Sequence, residues 1–151
     1  MRPTVPTFGI VGLVLSLISA PQCVASWPIG NSETNVMVSF EFPDGTTNAI
    51  TLTYNSVLDA FQKRPLPKGV SLAVYKIDFW VYGALQSLDL PFETKTVRGQ
   101  TAIVRISKTA NGSGGEWIYY VNGIRSPYHI NTQLDAEVKK IRFVFKKIKK
   151  D

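Results

Sequence analysis

The stretch GGEWIYYVNGIRSPY, residues 114–128, decides the fold, because a Trp, three Tyr and a tight-turn signal fall within fifteen residues. The run EWIYYV predicts a β-strand rich in aromatic residues. On such a strand alternate side chains face opposite sides, so Trp117, Tyr119 and Val121 share one face and Ile118, Tyr120 and Asn122 share the other. The Asn122-Gly123 pair accepts positive φ angles and predicts a type I′ hairpin turn.

Three further runs show the same alternation. The segments NVMVSFEF (35–42) and NAITLTY (48–54) flank PDGT (43–46), and this arrangement predicts a β-hairpin. The last strand is predicted within VKKIRFVFKK (138–147), where Ile141, Phe143 and Phe145 alternate with Arg142, Val144 and Lys146. One face of each strand is therefore expected to be buried.

The period changes between the hairpin and the later strands. In NSVLDAFQKR (55–64) the apolar residues Val57, Leu58 and Phe61 recur at helical spacing, which predicts one short helix. Ser56 is the expected cap, with Asp59 in the acidic position of a capping box. Proline at positions 65 and 67 ends the helix.

The middle of the chain is predicted to be extended or irregular. VSLAVYKIDFWVY (70–82) is rich in β-branched and aromatic residues and favours a strand, with Lys76 and Asp78 as a solvated ion pair at the rim. A buried catalytic role for Asp78 is the alternative. Residues 83–100 form an irregular excursion with at most one short strand, TAIVRIS (101–107) is a strand, and KTANGSGG (108–115) is a loop. Asn111, Gly112 and Ser113 match an N-glycosylation acceptor.

The first 26 residues have the layout of a secretory signal peptide, with Arg2, an apolar run from Phe8 to Ile18, and small residues near Ala25. The apolar run is shorter than the roughly twenty residues that cross a bilayer, so no permanent membrane span is expected. The predicted organisation is a signal peptide at 1–25, a linker at 26–34 and one domain at 35–151. Cleavage removes Cys23, the one Cys of the chain, and leaves a secreted, periplasmic or envelope protein.

The composition is that of an ordinary basic domain, with 44% hydrophobic residues, 11% aromatic residues and a net charge of +6. Much of the positive charge lies in KKIRFVFKKIKKD (139–151), where it fits either a soluble outer strand face or an anionic partner. An exported protein rarely meets nucleic acid, so no nucleic-acid partner is predicted.

The order of hairpin, short helix and returning strands predicts an α+β fold, a β-grasp-like mixed sheet with one short helix packed on it. In detail, TLTYNSVLDAFQ and GGEWIYYVNG, followed by AEVKKIRFVF, resemble the transcobalamin-like C-terminal domain family. In that family a Trp strand ends in a Val-Asn-Gly turn. The sequence departs from the family at LDAEVKK, which stands where a Gly-Asp turn is common, and in the extra length of 83–100.

The resemblance implies a module that binds a protein or a small molecule at the cell envelope or outside the cell. The alternative is a carrier-type domain that supplies one wall of a corrinoid (cobalamin-like) site, with a partner protein supplying the other.

The aromatic cluster itself leaves packing and binding both open. Its residues and the loop after the turn give five candidate ligand-binding residues, Trp117, Tyr120, Asn122, Tyr128 and His129. His129 is the one His of the chain and lacks Cys or clustered acids beside it, so no metal site is predicted. No nucleophile elbow or phosphate-binding Gly loop is present, so the sequence predicts neither an enzyme nor a resident cofactor.

Overall fold

The computed structural model describes residues 34–66, 76–112, 114–126, 129–132 and 137–148. Within them the chain forms β1 (Val36–Glu41), β2 (Thr47–Leu52), α1 (Tyr54–Lys63), α2 (Ile77–Ser87), β3 (Phe92–Val97), β4 (Gln100–Ile106), β5 (Thr109–Ala110), β6 (Gly115–Val121), β7 (Ile124–Arg125) and β8 (Lys140–Lys147). Two helices and two sheets make this an α+β fold, as predicted. The predicted signal peptide and most of the predicted linker lie outside the described residues.

The larger sheet has five strands in the order β2-β1-β8-β6-β7. β1 and β8 run parallel at its centre, and the other neighbouring pairs are antiparallel. The predicted hairpin of β1 and β2 is confirmed, with Val36 opposite Leu52 and Glu41 opposite Thr47. The predicted turn is also confirmed, because Asn122 and Gly123 have φ angles of 49° and 86° between β6 and β7.

The smaller sheet has the order β3-β4-β5. β4 confirms the strand predicted at 101–107, and β3 is the short strand that the prediction allowed within 83–100. β3 and β4 form a hairpin whose turn places Arg98 and Gly99 at φ angles of 51° and 76°. β5 follows β4 after a turn and pairs with it antiparallel, so the predicted loop 108–115 contains a two-residue strand. The sequence signal was weak because β3, FETKTV, is mostly exposed on both sides and therefore lacks apolar alternation.

Helix α1 is confirmed, but its cap lies elsewhere. The helix begins at Tyr54, and Thr53 is its N-cap, with Thr53 Oγ1 accepting the Ser56 amide at 3.2 Å. Ser56 Oγ in turn accepts the Thr53 amide at 2.9 Å, which completes a capping box. The predicted cap, Ser56, is therefore the third residue of the helix and not its cap. Asp59 is not the capping acid.

The strand predicted at 70–82 is wrong over its second half, which forms helix α2. Its first half, residues 70–75, lies outside the described part of the chain. Every residue from Ile77 to Leu85 is buried, so the helix shows no polar face and no helical period in its sequence. Asp78 is 3% exposed, and the predicted solvated ion pair with Lys76 is therefore also wrong. The helix lies on β1 and β2, and α1 packs against it. The predicted helix α1 therefore packs mainly on α2, and α2, which was not predicted, is the helix that lies on the sheet.

Gly83 sets how closely the two helices approach. A Cβ atom at this position would lie 2.8 Å from both γ-carbons of Val57 on α1. Carbon atoms pack at roughly 3.5–4.0 Å, so a methyl group there overlaps a side chain that has one stiff torsion.

We expect Gly83→Ala to destabilise the domain by about 1–3 kcal/mol, although Ala is normally the better helix former. The same substitution made in a Val57→Ala background should cost at least about 1 kcal/mol less, since the clashing carbons are gone. Urea unfolding of the two single variants and the double variant measures this coupling. An equal cost of Gly83→Ala in both backgrounds contradicts the close packing of α1 on α2.

Candidate functional site

Trp117 lies in the core between the two sheets. Its side chain is 8% exposed, and its ring meets Phe42 and Phe145 edge-on at centroid distances of 5.3 and 5.4 Å. The indole Nε1 donates to the Thr109 carbonyl of β5 at 3.0 Å, and the backbone amide donates to Asn111 Oδ1 at 2.8 Å. Packing and two hydrogen bonds therefore account for this aromatic residue, which joins β6 to the smaller sheet.

Asn122 joins the end of β6 to the entry of β8. Its Oδ1 accepts the amides of Lys139 and Lys140 at 2.9 and 3.1 Å, and its Nδ2 donates to the Glu137 carbonyl at 3.0 Å. Its backbone amide donates to the Lys140 carbonyl at 2.8 Å. An Asn tolerates the left-handed backbone here, and its amide bonds with both polar atoms. These contacts are structural and leave the side chain little capacity for a ligand.

The face of the larger sheet away from the helices carries a mixed aromatic and cationic patch. We call it the outer patch and define it as Ile118 and Tyr120 of β6 with Arg142 and Val144 of β8. The register places Ile118 opposite Val144 and Tyr120 opposite Arg142. Ile118 is buried, Tyr120 and Val144 are half-buried, and Arg142 is exposed. The sequence identified Tyr120, but the other three residues depend on strand pairing that alternation alone does not give.

Arg142 makes the charged contacts of the outer patch, with the ring of Tyr120 and the carboxylate of Glu41. Its guanidinium carbon lies 5.6 Å from the centroid of the Tyr120 ring, a cation–π distance. The same guanidinium binds both carboxylate oxygens of Glu41 on β1, with Nη2 2.9 Å from Oε2. The hydrogen bond from Arg142 lowers the pKa of Glu41 below its ordinary value, despite an opposing contribution from burial. A cation is thus held over an aromatic ring and beside a carboxylate on paired strands.

His129 begins the segment 129–132, whose backbone is hydrogen-bonded to α2 and β4 and not to the outer patch. In residues 129–132 the Ile130 carbonyl accepts the Asp78 amide of α2 at 2.7 Å, and the Ile130 amide donates to the Thr101 carbonyl of β4 at 3.0 Å. His129 is half-buried and its carbonyl accepts the Thr132 amide at 3.0 Å. Tyr128 lies outside the described residues.

The four described candidates are therefore not gathered on one surface. Trp117 faces the core, and Tyr120 faces the helix-free side. Asn122 is bonded to the start of β8, and His129 precedes Ile130, which is bonded to α2 and β4. That the five predicted residues share one ligand stays a prediction.

Asp78 is a buried acid that the sequence misplaced. Its Oδ1 has no hydrogen-bond partner, and burial raises its pKa to about 6 from an ordinary value of 3.8. The positive charge of Lys76 opposes that shift. Burial, with the neighbouring Asp78 charge as a second cause, raises the pKa of Tyr82 to about 12. Perturbed acids of this kind are common at functional sites and also in structural cores.

An open groove of about 440 Å³ lies between α1 and the end of α2. The lining residues are mostly polar: Ser56, Asp59, Ala60, Lys63, Arg64, Gln86, Ser87 and Asp89. Arg64 and Asp89 form an exposed ion pair at this groove. Positively and negatively charged side chains both line the groove, so its charge favours no class of ligand.

Across the described ranges, no group of three or more His, Cys, Asp or Glu residues is placed to hold a metal ion. No helix among the described residues is long and apolar enough to span a bilayer.

Taken with the topology, these features define an α+β domain with a mixed five-stranded sheet. No family model matches the chain, and no curated protein matches it. Solved structures do resemble it, among them one described as "a putative metal binding protein" from Ruminococcus gnavus. That structure is 13% identical in sequence, with a TM-score of 0.50 over 78% of this chain and 100% of the other. A likeness at this identity concerns the fold alone, and the resemblance to transcobalamin-like domains stays a prediction.

Proposed function

We propose that this protein is an exported, non-enzymatic binding module of β-grasp-like fold. The strand order β2-β1-β8-β6-β7, with the first and last strands parallel at the centre and the helices on one face, supports the β-grasp-like assignment. The signal-like first 26 residues support export. The resemblance of GGEWIYYVNG and its flanking segments to transcobalamin-like domains supports a binding role.

The observation that carries the proposal is the Tyr120–Arg142 pair on the helix-free face of the sheet. Rigid aromatic rings provide contact area at low entropic cost, and a guanidinium adds directional hydrogen bonds to acidic groups. Both side chains project from paired strands, which hold a contact surface more firmly than loops do. Ile118 and Val144 add apolar surface beside them.

The charges around the outer patch favour a partner that carries acidic groups. Lys140 and Lys146 are exposed on the same side of β8, and Arg125 of β7 lies opposite Tyr120. Glu41 is bound by Arg142 and offsets part of this charge. Positive charge that exceeds the local acids accelerates encounter with anionic partners and weakens as salt is added.

A heparin oligosaccharide is a suitable polyanionic probe of this surface. We expect Arg142→Gln to weaken heparin binding by about three- to tenfold at low salt. This is the loss expected from removing one charge-assisted hydrogen bond whose cation is already partly neutralised by Glu41. Arg105→Gln is the matched control, because Arg105 is also 44% exposed and also bridges a glutamate, Glu93, but on the smaller sheet. Isothermal titration of the three proteins measures the affinities, and amide chemical shifts locate the contact.

Shifts on β6 and β8 that fade with salt, together with a larger loss in Arg142→Gln than in Arg105→Gln, support the proposal. No saturable binding, or equal loss in both variants, counts against the outer patch. Cobalamin titrated in parallel and followed by absorbance distinguishes the alternative, since a saturable spectral change favours a corrinoid carrier.

A further inference from the structure

The edge strands of the two sheets differ in how they are protected. An exposed edge presents unpaired backbone groups that can recruit another strand, and natural sheets block it with short strands, charges or bulges. β7 and β5 each have two residues. β3 carries Glu93 and Lys95 and has a register irregularity between Glu93 and Thr94. These three edges of the described sheets are therefore blocked.

β2 has none of these protections. It is a six-residue strand, TNAITL, without a charge, a proline or a bulge, and it pairs with β1 in continuous register. Beyond that β1 ladder, no hydrogen bond of the described residues involves Thr47–Leu52. In a strand, alternate residues direct their amide and carbonyl groups to opposite sides, so about half of those in β2 face outward.

The segment of the sequence that contains β2 is as neutral as the strand itself. No charged residue occurs between Gly45 and Leu58. Thr47, Ala49 and Thr51 are exposed on the helix-free side, and Ile50 is half-buried on the helix side at the margin of the core. A strand laid along this edge would meet small and β-branched side chains and would cover Ile50.

We infer that β2 pairs antiparallel with β2 of a second copy of this chain, which joins the two five-stranded sheets into one. The charge distribution selects this occupant. With a net charge of +6, most contacts between two copies bring cations together, whereas β2 opposes no like charges when it meets itself. Antiparallel pairing of identical strands is also compatible with the two-fold symmetry of most homodimers.

This dimer goes beyond the proposed binding role and stands independently of it. In the joined sheet the two helix-free faces become continuous, so both outer patches open on the same side. A polymeric partner could then engage both patches at once, with a gain in avidity and no new contact.

Sedimentation equilibrium over micromolar to millimolar concentrations tests the inference. We expect the average mass of the native chain to rise from one to two copies as concentration increases. Ala49→Lys should stay at one copy across the range, because it places two lysines close together in the joined sheet. Val97→Lys is the control on the other exposed edge, where Val97 is 52% exposed on β3, and it should behave as the native chain does.

Hydrogen exchange provides a second measurement that does not depend on a variant. Alternate amides of β2 should gain protection as concentration rises, while those of β3 should not. A mass of one copy at all concentrations overturns the inference, as does a dimer that survives Ala49→Lys. Heparin binding by the Ala49→Lys protein then shows separately whether the outer patch functions in a single copy.

Discussion

Replacing Asp78 with Asn should stabilise the domain near neutral pH by up to about 3 kcal/mol. The side chain is 3% exposed, its Oδ1 lacks a partner, and burial raises its pKa from 3.8 to about 6. Each unit of pKa shift corresponds to about 1.4 kcal/mol, so ionising this group inside the fold costs about 3 kcal/mol more than in the unfolded chain. Asn has nearly the same shape and carries no charge.

The sign of the pH dependence follows from the direction of the shift. Below the unfolded pKa of 3.8 both states are protonated and the native chain has no penalty. As pH rises from 3.8 towards 6 the unfolded state loses its proton first, so stability falls and stays lower above 6. Asp78→Asn should remove this fall, and urea unfolding at several pH values measures it.

Asp44→Asn is the matched control, and its effect on stability at neutral pH should have the opposite sign. Hydrogen bonds from Thr46 lower the pKa of Asp44, so this exposed carboxylate stabilises the fold at neutral pH and loses that effect as pH falls. Removing it should reduce stability at neutral pH. A native chain whose stability does not decline between about pH 4 and pH 6, relative to Asp78→Asn, contradicts the burial of an ionisable Asp78.

Trp117→Ala should destabilise the domain by about 3–5 kcal/mol, the usual cost of emptying a buried aromatic position. The ring fills the space between Phe42 and Phe145, and its Nε1 satisfies the Thr109 carbonyl. Trp117→Phe keeps most of the ring contacts but removes the hydrogen bond from Nε1 to that carbonyl, and it should cost about 1–2 kcal/mol. Thermal and urea unfolding measure both losses.

Tyr120→Ala is the companion experiment on the same strand. Tyr120 is half-buried on the opposite face, so its removal should cost about 1 kcal/mol or less of stability while weakening heparin binding. Trp117→Phe should leave that binding unchanged. Should Trp117→Phe weaken binding at little cost in stability, the aromatic cluster is a ligand surface on its core side, and the packing explanation fails.

Several strands and the first helix were predictable because one face of each is apolar. β1 and β8 place apolar residues at alternate positions, and α1 repeats its apolar residues at helical spacing. β6 is different, since Ile118 is buried on the face opposite Trp117, and its aromatic and β-branched residues predicted the strand instead. α2 was not predictable from pattern, because Ile77 to Leu85 are all buried and the run reads equally well as a buried strand. Because the run was predicted to be a strand, Asp78 was predicted to lie at the solvated rim of a sheet.

The candidate site was predictable only in part, for a different reason. Alternation along β6 separates Trp117 from Tyr120 but does not say which face carries the helices. Arg142 meets Tyr120 through the pairing of β6 with β8, and Glu41 reaches Arg142 from a strand 101 residues away. Long-range contacts of this kind leave no local trace in a sequence.

The parallel pairing of β1 with β8 also bears on the order in which the chain folds. The middle of the larger sheet cannot form until the last strand is available, since β8 lies between β1 and β6. Topologies that await distant segments fold slowly. A polypeptide with such a delay stays unfolded for longer after synthesis, and an unfolded chain is what the proposed export would require.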